Sequence, residues 1–251
     1  MDLGLADRTY IVTGGTGGLG LATAQQLVAD GANVVISSRS QESVDRVTSE
    51  LGTRAVGVAV DNADATAPAQ LIAAAQEAFG GVDGVLISVG GPPAGAILDR
   101  TEDEWRTSFE SVFLGAIRLA TEVAEVLDDG GSIAFVLSTS VKAPIAGLGI
   151  SNALRPGLAM AAKNLADELG PRGIRVNALL PGRISTDRVR SLDAATGDAD
   201  LARAANERTI PLGRYGEPAE FGRAAAFVLS PAASFVSGVM LPVDGGLTRA
   251  L

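Results

Sequence analysis

The feature that most constrains the fold is a glycine-rich turn between a short β-rich run and a helical pattern. The β-rich run covers residues 9–13, residues 14–20 read Gly-Gly-Thr-Gly-Gly-Leu-Gly, and apolar residues then recur at helical spacing to residue 30. Glycine lets the backbone turn sharply there and leaves the amides of the helix N-terminus open to an anion. In the first strand–helix connection, this turn predicts a nucleotide-binding α/β fold, the alternative being a purely structural turn.

The rest of the chain continues the alternation of strand and helix patterns. Further strands are predicted at 33–36, 54–60, 82–89, 132–137, 175–180 and 238–243, and helices at 40–51, 65–79, 101–127 and before residue 169. Such alternation is typical of a doubly wound parallel sheet with helices on both faces. We predict an α/β fold, a single Rossmann-type domain over residues 1–251 with about seven strands.

One polar stretch, residues 185–209, is rich in Ala, Asp and Arg. We interpret it as a helical excursion over the cleft at the carboxyl ends of the strands, with mobility as a further expectation. An ordinary surface helix is the alternative, since long connections in a compact domain are often functional but need not be.

Composition excludes several classes of function. The chain has no Cys and no His, so disulfides, cysteine nucleophiles and Ser-His-Asp hydrolysis are excluded, and no metal site is expected. A net charge of −9 argues against nucleic-acid binding. No apolar run is long enough to span a membrane and no signal peptide is evident, so we expect a cytoplasmic protein.

The end of the second strand indicates which dinucleotide binds. NAD sites place a carboxylate there to accept hydrogen bonds from the ribose hydroxyls. This chain has Ser37-Ser38-Arg39 instead. Because Arg and Ser can hold a 2′-phosphate through charge-assisted hydrogen bonds, we expect NADP (as NADPH) rather than NAD. The alternative is that Arg39 is a solvated loop residue.

These motifs together resemble the classical short-chain dehydrogenases/reductases. The glycine turn is similar to that family's cofactor motif, and later landmarks follow in the family's order: Asp61, Ser88-Val89-Gly90, Arg175-Val176-Asn177, Pro181-Gly182 with Thr186, residues 213–218, and Val243-Asp244-Gly245-Gly246. The turn and the resemblance together imply these cofactor-binding residues: Thr13, Gly14, Thr16, Gly17, Gly18, Leu19, Gly20, Ser38, Arg39, Asp61, Asn62, Ser88, Gly90, Arg155, Pro181, Gly182, Ile184 and Thr186.

The chain departs from the family at the catalytic positions. The resemblance places Ser138 on the catalytic serine, but Ser151 and Arg155 stand where the family has its Tyr and Lys, and Val112 stands on the relay Asn. An alkyl hydroxyl is a weaker acid than a phenol, and arginine does not give up its proton in a protein. Ser151 and Arg155 share a helix face and could hold a ribose and a substrate anion without supplying the usual proton.

Two further residues bear on the catalytic site. Pro156 is accepted most easily in a first helical turn and disfavours helical angles at the residue before it, so we expect the helix to start near 151–153. Lys142 follows the fifth strand and, if partly desolvated beside Arg155, could donate the proton. The alternative is a solvated loop lysine.

Three functions remain open. The first is an oxidoreductase that moves a hydride between NADP(H) and a small-molecule carbonyl or alcohol substrate, with Ser138, Ser151, Arg155 and Lys142 as catalytic candidates. The second is a catalytically inactive NAD(P)-binding regulator or structural partner, and the third a lyase or isomerase. Apolar faces at 112–126 and 157–169 correspond to the resembled family's subunit interface and imply a homodimer or homotetramer, unless they are core.

Overall fold

The computed structural model describes residues 2–250, and its strands and helices alternate along the chain. The seven strands are β1 (Thr9–Val12), β2 (Asn33–Ser38), β3 (Ala55–Ala59), β4 (Gly84–Ile87), β5 (Ser132–Val136), β6 (Arg175–Pro181) and β7 (Met240–Val243). The nine α-helices within residues 2–250 are α1 (Gly18–Ala29), α2 (Gln41–Leu51), α3 (Ala67–Phe79), α4 (Glu102–Ser108), α5 (Gly115–Val126), α6 (Gly149–Leu169), α7 (Asp187–Ala194), α8 (Ala199–Glu207) and α9 (Pro218–Leu229).

The strands form one parallel sheet in the order β3-β2-β1-β4-β5-β6-β7. The order reverses between β1 and β4, which pair through Tyr10 with Gly84 and Val12 with Leu86. In a sheet of this type, ligands bind beyond the carboxyl ends of the strands at that reversal. The predicted doubly wound α/β fold is confirmed, and its switch point lies beside the glycine turn.

Helices cover both faces of the sheet because the inner strands are apolar on both sides. On one face, Leu71 of α3, Val123 of α5 and Leu158 of α6 pack in one buried cluster. On the other face, Leu27 of α1 and Phe221 of α9 belong to a second cluster. Burial of such side chains contributes about 1.5–3 kcal/mol each. Within residues 2–250, no helix is both long and apolar enough to cross a membrane.

Arg175 fixes the end of α9 to the start of β6. Its guanidinium is buried and donates hydrogen bonds to the carbonyls of Val228, Leu229 and Ser230 at 2.7, 3.0 and 3.0 Å. The last carbonyls of a helix have no partner within the helix, and a cation is favourable there. This residue of the Arg175-Val176-Asn177 motif therefore has a structural role.

The long helix predicted at 101–127 is confirmed in its bounds, but it contains a π-helical segment that the sequence did not indicate. It begins as predicted, since Thr101 and Glu104 form a capping box. Residues Phe109–Leu114 are π-helical and separate α4 from α5. A Cβ on Gly115 would lie 2.2 Å from the Asn62 carbonyl oxygen, so α5 starts in close contact with the loop after β3. The π segment includes Val112 and shifts the helix register at that contact.

The predicted late start of the helix around Pro156 is also wrong. Helix α6 begins at Gly149, and Pro156 lies inside it, so Arg155 is helical despite the proline that follows. A proline there removes the hydrogen bond to the Asn152 carbonyl, at a cost of about 3 kcal/mol. Ile150 and Leu158 are buried on either side of it in the core cluster. Tertiary packing therefore outweighs the local preference.

Candidate active site

The glycine turn after β1 depends on glycine at two positions. Gly14 has φ of +59°, a left-handed conformation, and a Cβ there would lie 2.7 Å from the Ser88 carbonyl oxygen. A Cβ on Gly20 would lie 2.3 Å from the Gly14 carbonyl oxygen. Any larger residue would push α1 away from the turn. These contacts hold the N-terminus of α1 against the end of β1.

A reciprocal pair of hydrogen bonds links the turn after β1 to the turn after β4. The Thr13 hydroxyl donates to the Ser88 carbonyl at 2.9 Å and accepts from the Ser88 amide at 2.9 Å. Thr13 is fully buried. It was expected to contact a cofactor, but its side chain holds the two turns together and is not available to a ligand.

A cavity of about 570 Å³ opens at this edge of the sheet. Seven of the expected cofactor residues line it: Gly14, Ser38, Arg39, Asp61, Asn62, Ser88 and Gly90. The lining also includes Ser37, Val89, Ser111 and Val112, which the sequence motifs contained, and Gly91, Pro92 and Pro93, whose loop was expected to shape the substrate pocket. Sequence reasoning missed Val60, Ala63, Thr107, Ser108 and Glu110. These follow the end of β3 or lie on α4 and the π segment. Their position at the carboxyl edge was the available signal for the loop residues.

The end of β2 presents unpaired polar groups to the cavity. Arg39 is exposed and makes no hydrogen bond or salt bridge within residues 2–250. The buried Ser37 hydroxyl also has no partner among the described residues. The Ser37 oxygen is enclosed by the protein, whereas the exposed Arg39 can still bind a ligand, and an anion would satisfy it.

The other expected cofactor residues lie in two facing segments. Thr16, Gly17, Gly18 and Leu19 lie at the start of α1, and Pro181, Gly182, Ile184 and Thr186 follow or end β6. A Cβ on Gly18 would lie 3.5 Å from Thr186 Cγ2. The Thr186 hydroxyl accepts a hydrogen bond from the Val189 amide and caps α7. Ile184 is 3% exposed, so its side chain belongs to the core.

Ser138 and Ser151 lie on neighbouring elements. Ser138 follows β5 by two residues, is half-buried, and accepts a hydrogen bond from the Ser140 amide at 3.0 Å. Ser151 is buried on α6 and its hydroxyl makes no hydrogen bond within the described chain. Helix α6 packs against the 3-10 turn Thr139–Val141. Both hydroxyls therefore retain a proton to donate.

Arg155 is buried one helical turn after Ser151. Its exposed fraction is 6%, and its Nη1 donates to the Val136 carbonyl at 2.8 Å. Burial lowers the pKa of Arg155 to about 10, and the charge of Arg188 acts in the same direction. The guanidinium stays protonated at neutral pH. It is held at the end of β5, and Arg155 stands at the sequence position where the resembled family has its lysine.

Lys142 is not partly desolvated beside Arg155, which was the condition for it to donate a proton. It follows the 3-10 turn after β5, as expected, but it is exposed rather than partly desolvated. The cation that acts on Arg155 is Arg188, not Lys142. Sequence reasoning missed Arg188, which lies in the stretch that was interpreted as an excursion. The contacts that Lys142 needed to act as an acid are therefore absent from residues 2–250.

The stretch 185–209 contains two helices, α7 and α8, rather than one. From α7, Arg188 Nη2 donates to the Pro92 carbonyl at 2.7 Å, so the helix reaches the loop after β4. Buried Asp193 accepts from Arg183 Nη1 at 2.9 Å and from the Tyr215 hydroxyl at 2.9 Å. Asn206 of α8 donates to the Tyr215 hydroxyl at 3.0 Å. Burial, and then the bond to Asp193, raises the pKa of Tyr215.

Comparisons with known proteins agree with this architecture. The family model described as enoyl-(acyl carrier protein) reductase matches residues 14–248. The human dehydrogenase/reductase SDR family member 2, mitochondrial, is 35% identical over 98% of this chain and 88% of its own length. The 2,5-dichloro-2,5-cyclohexadiene-1,4-diol dehydrogenase of Sphingobium indicum is 34% identical over 97% and 98%.

A solved structure adds a cofactor-bound example. The L-sorbose reductase of Gluconobacter frateurii, complexed with NADPH and L-sorbose, superposes with a TM-score of 0.92 and is 27% identical over all of both chains. The sheet order, the glycine turn at the switch point and these matches over nearly the whole chain have one explanation. The chain belongs to the short-chain dehydrogenase/reductase family of oxidoreductases.

Proposed function

We propose that the protein transfers a hydride between NADP(H) and a carbonyl or alcohol substrate through an atypical catalytic site. The observation that carries the proposal is the cavity that runs from the Gly14 turn past Arg39, a cation without a partner in residues 2–250. No carboxylate stands at the end of β2, where an NAD-specific site would place one.

The residues present fit a phosphorylated dinucleotide. The amides of the first turn of α1, opened by Gly18, would hold the diphosphate. Arg39 with Ser38 would hold the 2′-phosphate, and Asp61 with Asn62 would contact the adenine end. The bound cofactor supplies the hydride chemistry. That the Gluconobacter frateurii reductase binds NADPH supports the same choice.

Ser138 and Ser151 supply the hydroxyl groups that hydrogen-bond the substrate and deliver the proton. Ser138 Oγ accepts a hydrogen bond from the Ser140 amide, so its own proton can be donated to the substrate oxygen. Ser151, with no hydrogen bond of its own in the described chain, passes on a proton drawn from water. Neither hydroxyl is as acidic as a phenol, so turnover is expected to be slow. Arg155 is fixed on Val136 and contributes charge, not a proton.

The test is NADPH absorbance over a panel of ketones and aldehydes at saturating NADPH. Ser138→Ala should abolish turnover and Ser151→Ala should lower it about tenfold or more, as removal of an acid–base group usually does, while NADPH affinity is unchanged. Lys142→Met should leave turnover unchanged. Loss of turnover in Lys142→Met would return the acid's role to that lysine and contradict the assignment of the serines.

A second candidate function is a cofactor-binding regulator without catalysis. The observation that favours it is the buried Arg155, which replaces the family's lysine and points to a backbone carbonyl. Tight NADPH binding without turnover on the whole panel would favour this alternative. Absence of both NADP and NAD binding in calorimetry would contradict both functions.

Self-association is part of the proposal. Phe109 stacks on Phe113 with ring centroids 5.2 Å apart, and Phe109, Val126 and Met160 are exposed on the helices that were expected to form an interface. An exposed aromatic and aliphatic surface of this kind favours a homodimer or homotetramer. The single-domain organisation and the cytoplasmic location stay predictions, although the human relative's name includes the word mitochondrial.

A further inference from the structure

We propose that the substrate carries an anionic group, a carboxylate or phosphate, and that Arg155 and Arg188 bind this group beside the reacting carbonyl. The inference rests on the proposed function and names the class of its substrate. Its basis is two arginines without an acidic partner in residues 2–250, one held at the end of β5 and the other at the loop that follows the adjacent strand β4.

Among the arginines around the cleft, Arg39, Arg155 and Arg188 have no acidic partner within residues 2–250, and Arg39 is already assigned to the cofactor. Arg183 pairs with Asp193, Arg190 with Asp187 and Arg203 with Glu207. Arg155 and Arg188 form no salt bridge within residues 2–250, although the chain carries 29 acidic residues against 20 basic ones. Within residues 2–250 each of them donates one hydrogen bond, Arg155 to the Val136 carbonyl and Arg188 to the Pro92 carbonyl.

This arrangement is unfavourable until an anion arrives. Burying a guanidinium without a counter-ion costs free energy, and a second cation nearby adds repulsion. Burial is the first cause of the lowered pKa of Arg155 and the charge of Arg188 the second, with no carboxylate among the causes to offset them. A guanidinium has five N–H donors in a fixed fork that suits carboxylate and phosphate. Arg155 uses one Nη on the protein and can offer the rest to a ligand.

The position of the pair matches the substrate site. Val136 ends β5 two residues before Ser138, so Arg155 is held at the end of the strand that leads to the serine assigned to the substrate oxygen. Pro92 lines the cavity, and a Cβ on Gly91 would lie 3.1 Å from Arg188 Nε. Arg188 thus crosses from α7 to the loop after β4. An anion held by both guanidinium groups would therefore lie at the carboxyl edge of the sheet, between the end of β5 and the loop after β4.

Calorimetry with the NADP⁺-loaded protein tests this without turnover, since the oxidised cofactor cannot reduce a ketone. The probes are benzoylformate, its methyl ester, which lacks the charge, and inorganic phosphate. We expect benzoylformate, phosphate or both to bind at least tenfold more tightly than the ester. Arg188→Met should remove at least tenfold of that affinity and leave the weak binding of the ester unchanged. Equal binding of acid and ester, with no phosphate binding, would overturn the proposal.

Two controls separate the site from general charge and from the cofactor. Arg190 lies on α7, as Arg188 does, but it is exposed and already paired with Asp187. Arg190→Met should therefore leave the affinity for the anionic probes unchanged. If Arg188→Met weakens NADP⁺ rather than the probes, the arginine serves the cofactor and the proposal is wrong. If Arg155→Met fails to fold, Arg188→Met alone decides. Failure of the proposed function is seen separately, as absent dinucleotide binding or absent NADPH oxidation.

Discussion

Replacing Arg39 with alanine separates the phosphorylated from the unphosphorylated dinucleotide. The side chain is exposed at the end of β2, lines the cavity and has no partner in residues 2–250 that must be displaced before it binds a 2′-phosphate. The variant should therefore bind NADPH more weakly and bind NADH as before. Its fold should be unaffected, because no hydrogen bond within the described chain is lost.

The expected loss follows from the exposure of the guanidinium. A hydrogen bond to a charged group is worth about 1.5–3 kcal/mol. Solvent and salt screen an exposed pair, so the lower end applies, and a loss of about 1.4 kcal/mol corresponds to a tenfold rise in Kd. Raising the ionic strength should shrink the difference between the parent protein and the variant.

The assay is calorimetric titration of each dinucleotide into parent protein, Arg39→Ala and a matched control. Arg46→Ala removes another exposed arginine, which lies on α2, pairs with Glu50 at 2.8 Å and does not line the cavity. This control should bind both dinucleotides normally. An equal loss of NADPH and NADH affinity in Arg39→Ala, or no loss at all, would refute the reasoning.

Three more predictions concern stability and the turn. Gly20→Ala places a Cβ 2.3 Å from the Gly14 carbonyl oxygen and should cost about 1–3 kcal/mol or more and abolish dinucleotide binding, measured by thermal melting and calorimetry. Arg175→Met removes three hydrogen bonds and leaves the Val228 carbonyl without a donor within residues 2–250, whereas Leu229 keeps the bond from Ser132 and Ser230 the bond from Ala233. The variant should cost about 1–3 kcal/mol, seen as a fall in Tm of about 2–12 °C. Hydrogen bonds from Arg214 are the first cause of the lowered pKa of Glu220, which is about 2 against 4.5 for the free side chain. A carboxyl whose pKa is lowered by folding stabilises the protein at pH values above its pKa in the unfolded chain, and this stabilisation is lost as the pH falls. The denaturant midpoints of the parent protein and Glu220→Gln should therefore converge as pH falls from about 4.5 to 2. A difference that stays constant over this range would contradict the prediction.

The cofactor half of the site was largely predictable from the sequence. Gly14 and the residues after β2, β3 and β4 were identified because a parallel sheet brings strand ends to one edge. The capping box at Thr101 was predicted for a similar reason, since its hydrogen bonds are local. Interactions that depend on a few neighbouring residues can be recognised from their pattern.

The errors arose where distant contacts decided local structure. Pro156 was interpreted as a helix start, whereas burial of the surrounding α6 face keeps the helix intact. The π segment ends where Gly115 lies close to the Asn62 carbonyl, and only a glycine in mid-helix gave any signal. Arg188 was overlooked because its role depends on Arg155 and Pro92, which are far from it in the chain. Sequence spacing does not show which distant residues meet.

The ties of α7 and α8 bear on how substrate preference can be transplanted between relatives. Asp193 and Asn206 lie inside the stretch, but their partners Arg183 and Tyr215 lie on either side of it. Transferring residues 185–209 alone into a relative would bury the Asp193 carboxylate without the partners Arg183 and Tyr215 that it has here. A functional chimera must take residues 183 to 215 as one cassette, and homologous recombination within the family faces the same boundary.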